Sequence, residues 1–200
     1  MMYASKLDAI RGKPTGRLLQ YDPETEEVKV LAQNLWFANG VAVDKDETYV
    51  LVAETMLMRV SKYHVSGPNE GTLETFLDNR QLTGNPDGVD CSWETSGPSA
   101  GKCYVAIPTA IVPAIKVLQP LPHPIDLGIR GLLMMLPKWL APKVVDYGCI
   151  VEVDMETGAT RVLQDPDATD LTFITGVTVH DNKLYLGTVT GTVAGIYDLN

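Results

Sequence analysis

The chain has 200 residues, 45% of them apolar, with a mean hydropathy near zero, which describes a globular chain able to bury a sizeable core and excludes a disordered tail. Sixteen basic against 25 acidic residues leave a net charge of −9. That balance disfavours a phosphate backbone as partner and leaves a small molecule or a metal cation as the expected one.

Taken in chain order, residues 1–15 carry no period and read as a leader or the start of a broken unit. They lack a charged stretch followed by an apolar run, so no signal peptide or anchor is expected on this chain. Two strands follow, Gly16 to Asp22 and Glu27 to Leu31, joined at Pro23-Glu24-Thr25-Glu26. A four-strand unit is predicted at 38–44, 48–54, 57–65 and 72–77, with Gly67-Pro68-Asn69-Glu70-Gly71 as its third turn. The next unit runs through 87–92 and 102–107, is interrupted, and ends at 148–154 and 159–164; the last reads 174–180, 183–189 and 193–199. The insertion 108–147 holds seven of the 13 prolines. Asp126 to Leu136 reads within it as a short apolar helix stopped by Pro137. The insertion carries four basic and two acidic residues, which suggests a lid, a patch resting on a membrane surface, or an apolar plug.

The units repeat. An offset of 136 lays Gly40-Val41-Ala42-Val43 on Gly176-Val177-Thr178-Val179 and Tyr49-Val50-Leu51 on Tyr185-Leu186-Gly187. An offset of 132 lays Gly16 to Thr25 on Gly148 to Thr157. Four short strands per unit are the mark of a β-propeller blade, so the expected fold is all-β. Residues 16–200 then form a partial propeller of about three and a quarter blades, a count that cannot close into a ring. The missing blades are expected N-terminal, and the chain alone is expected to be poorly stable.

The innermost strand of each blade lines the propeller axis, so Asn39, Asp87 and Thr175, each directly before a glycine, form an axial set. Hard oxygens from Asn39 and Asp87 suit calcium. Taken singly, Asn-Gly and Asp-Gly are more often turns. Gly97-Pro98-Ser99-Ala100-Gly101 matches a hydrolase nucleophile pattern but lies in a hairpin loop without the strand-to-helix context it needs. His64, His123 and His180 read as solvated or packed side chains. Cys91, Cys103 and Cys149 lack metal-ligand spacing, and three buried small hydrophobes are preferred over a Cys91–Cys103 disulfide.

These motifs resemble the strictosidine synthase-like family, the adipocyte plasma membrane-associated proteins among them, which is related to calcium-dependent lactonases and paraoxonases. The resembling residues are Gly16 to Pro23, Phe37 to Ala42, Leu51 to Thr55, Gly67-Pro68 with Gly71, Tyr104 to Ile107, and His180-Asp181 with Leu184 to Gly187. The resemblance implies that the chain is the C-terminal part of a six-bladed β-propeller with a Pro/Leu-rich, partly helical insertion after Ile107. It also implies that Asn39 and Asp87 are metal ligands for calcium, with the remaining ligands in the missing blades. Phe173, Thr175 and Glu54 are the positions expected to meet substrate. The plant synthase has a catalytic glutamate where this chain has Thr175 and a histidine where it has Phe173; neither replacement does acid/base work at neutral pH. The expected function is metal-dependent hydrolysis of esters or lactones, of the arylesterase kind, in the complete form. The alternatives are a non-catalytic small-molecule-binding or membrane-associated propeller and, disfavoured by Thr175, amine/aldehyde condensation. The resemblance points to the secretory pathway or a membrane for the full-length form.

Overall fold

A computed structural model describes residues 13–110, 125, 147–165 and 171–200. Most of 1–15 and of the insertion, including the predicted helix, lies outside the described residues. β1 (Gly16–Tyr21) and β2 (Val28–Leu35) form a two-stranded sheet. β3 (Ala38–Val43), β4 (Tyr49–Glu54), β5 (Arg59–His64) and β6 (Leu73–Leu77) form a four-stranded meander. β8 (Val89–Cys91), β9 (Lys102–Ile107), β11 (Gly148–Asp154) and β12 (Thr160–Asp165) form the second four-stranded sheet, in that order outward from β8. β13 (Ile174–His180), β14 (Lys183–Thr188) and β15 (Gly195–Asp198) form a three-stranded one. All pairings are antiparallel, and the strand groups are those predicted from the repeat. An additional short pair joins β7 (Gly84–Asn85) to β10 (Thr109–Ala110). Among the described residues no helix is long and apolar enough to cross a membrane.

The second strands of the two four-stranded blades are buried on both faces, because each of these sheets is packed between two neighbours. β4 (Tyr-Val-Leu-Val-Ala-Glu) and β9 (Lys-Cys-Tyr-Val-Ala-Ile) are buried from their second residue onward. They therefore read as continuous apolar runs rather than alternating ones. Three apolar clusters fill the spaces between sheets. Leu18, Leu35, Val50 and Val52 join the first pair to the first blade, and Leu51, Val60, Val105 and Val151 join the two four-stranded blades. Tyr104, Ile150, Val177 and Leu184 join the second four-stranded blade to the third sheet.

The repeat is visible at atomic detail. Asp22 Oδ1 accepts from the backbone N–H of Glu24 and Thr25, and Asp154 Oδ1 accepts from that of Glu156 and Thr157, so the matched hairpins close with the same Asp-headed turn. Phe37 and Phe173, also 136 residues apart, both enter their innermost strand with a positive φ, 54° and 51°. One part of the sequence superposition is corrected. Val41 pairs with Val52 and Val177 with Leu186, so the second strands correspond at an offset of 134. The β13–β14 turn is two residues shorter, and the match of Tyr49 to Tyr185 is coincidental.

The cysteines also require correction. Cys91 and Cys103 are register partners across β8 and β9 and form a disulfide, while Cys149 is a buried free thiol beside Thr83. The loop between them is too long to fix the register by itself, so only the pairing of β8 on β9 reveals that the two face each other.

Blades meet backbone to backbone at the axis. The Gly40 N–H donates to the Asp87 carbonyl at 3.0 Å and the Gly88 N–H to the Thr175 carbonyl at 2.9 Å. A Cβ on Gly40 would lie 2.3 Å from the Asp87 carbonyl oxygen, and one on Gly88 2.6 Å from that of Thr175. Both obstacles are backbone and cannot swing aside. Gly40→Ala and Gly88→Ala are therefore each expected to destabilise the fold by about 3 kcal/mol, the upper range of overpacking. Gly158→Ala is expected to cost about 1 kcal/mol, because only its left-handed φ of 71° opposes a side chain. Urea denaturation of the three variants measures the contrast.

Candidate functional site

The inter-blade steps bring Asn39 and Asp87 together at the axial end of β3 and β8. The Asn39 side-chain amide lies beside the Asp87 carboxylate and favours its charged form. It also donates from Nδ2 to Thr55 Oγ1 at 3.3 Å. Thr55 Oγ1 in turn donates to the Pro86 carbonyl at 2.8 Å, and Asn85 Nδ2 donates to the Thr55 carbonyl at 2.8 Å. Thr55 and Asn85 thus tie the first blade's second strand to the segment carrying Asp87. Sequence reasoning passed over both, although each lies beside a singled-out residue, Thr55 after Glu54 and Asn85 two before Asp87.

Burial pushes the Asp87 carboxyl up to about 6, partly offset by the Asn39 amide. No cationic side chain among the described residues contributes to that balance. Asp87 itself is half-buried, and the other acids, the buried Asp44 and Glu152 and the half-buried Asp90, are engaged. Asp44 caps its own turn through the N–H groups of Asp46, Thr48 and Tyr49. Asp90 accepts from the N–H of Val179 in the next sheet, at 2.9 Å, and from that of Cys91. Glu152 is paired with Lys102 and Arg161.

Glu54 is placed differently from the sequence-based expectation that it meets substrate. It is fully buried: Oε1 accepts from Arg59 Nε at 2.7 Å and Ser61 Oγ at 2.6 Å, and Oε2 from the Trp36 N–H at 2.8 Å. That carboxylate fastens the β2–β3 connection to β5 and has no free face for a ligand. Thr175 stands one sheet beyond Asp87, half-buried, its carbonyl taken by Gly88. Phe173 is half-buried, and its N–H donates to the Tyr147 carbonyl at 2.8 Å.

Two dismissed motifs are structural. Ser99 is buried and its Oγ donates to Asn182 Oδ1 at 2.8 Å, joining the β8–β9 loop to the β13–β14 turn of the next sheet with no histidine in the contact. His64 bonds Glu74, and His123 lies outside the described residues. His180 sits with Glu94 and Asp181 at the far end of β13, about 16 Å from Thr175 at roughly 3.3 Å per residue, so it cannot act on the axial pair.

Comparison with known proteins agrees with this architecture. The family model described as strictosidine synthase matches residues 2–68. The adipocyte plasma membrane-associated protein of Salmo salar is 37% identical over 175 residues, covering 86% of this chain and 40% of that protein. That of Rattus norvegicus is 34% identical over 179 residues, covering 89% and 46%. Strictosidine synthase-like 6 of Arabidopsis thaliana is 29% identical over 189 residues, covering 94% and 46%. The chain thus spans less than half the length of these curated relatives. Among solved structures, a gluconolactonase from Xanthomonas campestris superposes with a TM-score of 0.54 at 14% identity, covering 94% of this chain and 50% of that one. The calcium-binding protein regucalcin from Agrobacterium tumefaciens superposes with 0.54 at 13%, covering 92% and 48%. The fold is that of these propellers.

The electrostatics of Asp87 make a testable statement. Its folded pKa of about 6 lies above the ordinary 3.8, so the folded form holds the proton more tightly than the unfolded chain. Without cations, stability is therefore expected to fall as pH rises from about 4 to about 6 and to stay lower above. Asp87→Asn removes that loss and should raise stability at pH 7 by about 1 kcal/mol, discounted for partial solvent exposure. Chemical denaturation at pH 4 and 7 in chelator, together with the Asp87 carboxyl 13C titration, checks both.

Proposed function

From a chain related in sequence to strictosidine synthase and the adipocyte plasma membrane-associated proteins, and folded like the propeller lactonases, we propose a metal-dependent hydrolase of esters or lactones whose closed form takes calcium at Asn39 and Asp87. The observation that carries the reading is the Asp87 carboxyl, desolvated at the axis with only the Asn39 amide against it. Burying a carboxylate without a counter-charge is unfavourable unless a cation completes the site. The donor set fits: Asn39 Oδ1 and the Asp87 carboxylate are hard oxygens of the kind calcium takes, and its usual six to eight ligands leave room for others from elsewhere in a closed ring. Such an ion supplies Lewis-acid polarisation of a carbonyl when bound.

This chain's own residues hold and orient. Thr55 Oγ1 receives an Asn39 N–H, which orients the amide, and the Gly40-to-Asp87 backbone bond fixes the spacing between the two side chains. Thr175, on the neighbouring innermost strand, lines the space without acid/base chemistry of its own. The same substitution opposes amine/aldehyde condensation, which needs a group that removes and delivers protons.

A second reading, a non-catalytic ligand-binding or membrane-associated propeller, is favoured by one observation. The basic, apolar insertion leaves at Ala110, paired with Gly84, and returns at Tyr147, bonded to Phe173, both at the end where the axial pair sits. Contact with a membrane surface through 108–147 belongs to that reading.

The readings separate in one assay series, with aryl ester and lactone substrates beside tryptamine plus an aldehyde, with and without chelator. We expect hydrolysis abolished by chelator, by Asn39→Ala and by Asp87→Ala, and retained within about tenfold in Thr175→Ala, because a residue outside proton transfer contributes little to the barrier. Cation affinity should fall as pH drops through about 6, where Asp87 takes a proton. Condensation lost in Thr175→Ala would overturn the proposal, and calcium binding without hydrolysis would favour the second reading.

A further inference from the structure

The innermost strands also have a far end, and three ligand-bearing side chains meet there. Glu94 follows β8, while His180 closes β13 and Asp181 opens the turn to β14. A carboxylate oxygen of Glu94, a ring nitrogen of His180 and a carboxylate oxygen of Asp181 lie within 4.8 Å of one another. His180 Nε2 and Asp181 Oδ2 are 3.5 Å apart. Glu94 is half-buried and the other two are exposed. Thr175 lies about 16 Å away along β13 at roughly 3.3 Å per residue, so this group is separate from the axial pair.

The scaffold brings these groups together from outside. Asp90, before Glu94 in the chain, accepts from the Val179 N–H at 2.9 Å, and Val179 adjoins His180. On the other side a chain of buried hydroxyls runs from one segment to the other. The Glu94 N–H donates to Ser92 Oγ at 3.2 Å, Ser92 Oγ to Ser99 Oγ at 3.0 Å, and Ser99 Oγ to Asn182 Oδ1 at 2.8 Å. Asn182 adjoins Asp181, and the two form a tight turn with positive φ at both positions, 55° and 50°. The carboxylates of Glu94 and Asp181 are thus held close by bonds that are indifferent to their charge, and like charges so placed repel. Among the described residues neither pairs with a lysine or arginine. Lys183, within electrostatic reach of Asp181, is taken by Asp198 at 3.0 Å. Glu152, by contrast, has Lys102 and Arg161.

We propose that Glu94, His180 and Asp181 bind a divalent transition cation of the zinc type, which fastens the β8–β9 loop to the β13–β14 turn. Two carboxylates and a neutral imidazole match the charge of such an ion. The imidazole decides the class: zinc takes histidine nitrogen together with carboxylate oxygen, whereas calcium and magnesium take oxygen. Zinc bonds of about 2.0–2.2 Å set tetrahedral ligand atoms about 3.4 Å apart. His180 and Asp181 already stand near that spacing, and Glu94 closes the remaining gap by rotation of its side chain. Three protein ligands leave the fourth position to water. A hollow of about 430 Å³ walled by Asp90, Trp93, Glu94 and His180 gives that water access. The site is independent of the axial pair and of the hydrolase reading.

Isothermal titration of the 200-residue chain with zinc chloride, in a buffer that does not bind metal, is expected to show binding with a Kd of about 10 μM or tighter. His180→Ala changes an exposed residue and should keep the parent's far-UV circular dichroism. It should nevertheless weaken zinc by at least the roughly tenfold that losing even an outer contact to a metal site costs, and Glu94→Gln should do the same. Cobalt(II) in place of zinc should give visible d–d absorption that His180→Ala abolishes. Calcium in large excess should not displace the zinc, since it is a poor match for the imidazole. No zinc binding by the parent up to about 100 μM overturns the proposal. So does unchanged affinity in the folded His180→Ala variant, which would place the ion elsewhere, or displacement of the zinc by calcium, which would place it among oxygen ligands such as the axial pair.

Discussion

The backbone contact at the axis is the constraint on which the rest of the structure depends. Two innermost strands from different blades approach until an amide of one donates to a carbonyl of the other, Gly40 to Asp87 and Gly88 to Thr175. Only a residue without a side chain permits that distance. The residue before each glycine is thereby carried to the same height on the axis, whatever its chemistry. Backbone geometry and side-chain chemistry are separated by one position along the chain: glycine sets the spacing, and asparagine, aspartate or threonine occupies it.

The buried acids show how burial alone fails to mark a functional group. Glu54, Asp44 and Glu152 are buried and Asp90 half-buried, and each has its oxygens committed to N–H donors, hydroxyls or cationic side chains that belong to the scaffold. Such groups cross-link: Glu54 ties a connection to a strand and Asp90 ties one sheet to the next. Asp87 differs in what surrounds it. Desolvation opposes its charge as it does that of Asp90, but where Asp90 accepts two backbone N–H groups, among the described residues only the Asn39 amide favours the charge on Asp87. A carboxylate whose ionisation the fold resists is the group that gains most from a cation.

The second four-stranded blade has the shortest innermost strand, Val89–Cys91, and the greatest reinforcement around it. The disulfide from Cys91 to Cys103 holds it to β9, the Asp90 carboxylate holds it to β13, and Ser99 in the following loop is held by Asn182. Three ladder pairs alone would leave such a strand prone to fray. The cross-links compensate for the missing length, and they do so on the strand that presents Asp87.

The order and grouping of the blade strands were legible in the sequence, because most hairpins are local objects whose apolar runs and turn residues lie close together, while the short β7–β10 pair, which joins segments 24 residues apart, was not. The axial pair was legible too, since an internal repeat states which residues are equivalent without any structure. What the sequence could not supply was everything settled between segments far apart in the chain. The disulfide needs the register of β8 on β9, the role of Glu54 needs Trp36 and Ser61 brought to it, and the true offset of the second strands needs the turn length counted in space. The charge balance of Asp87 belongs to the same class. Composition reports that a carboxylate exists, while its desolvation is a property of the packing of several blades around one axis, and only the tertiary structure decides that.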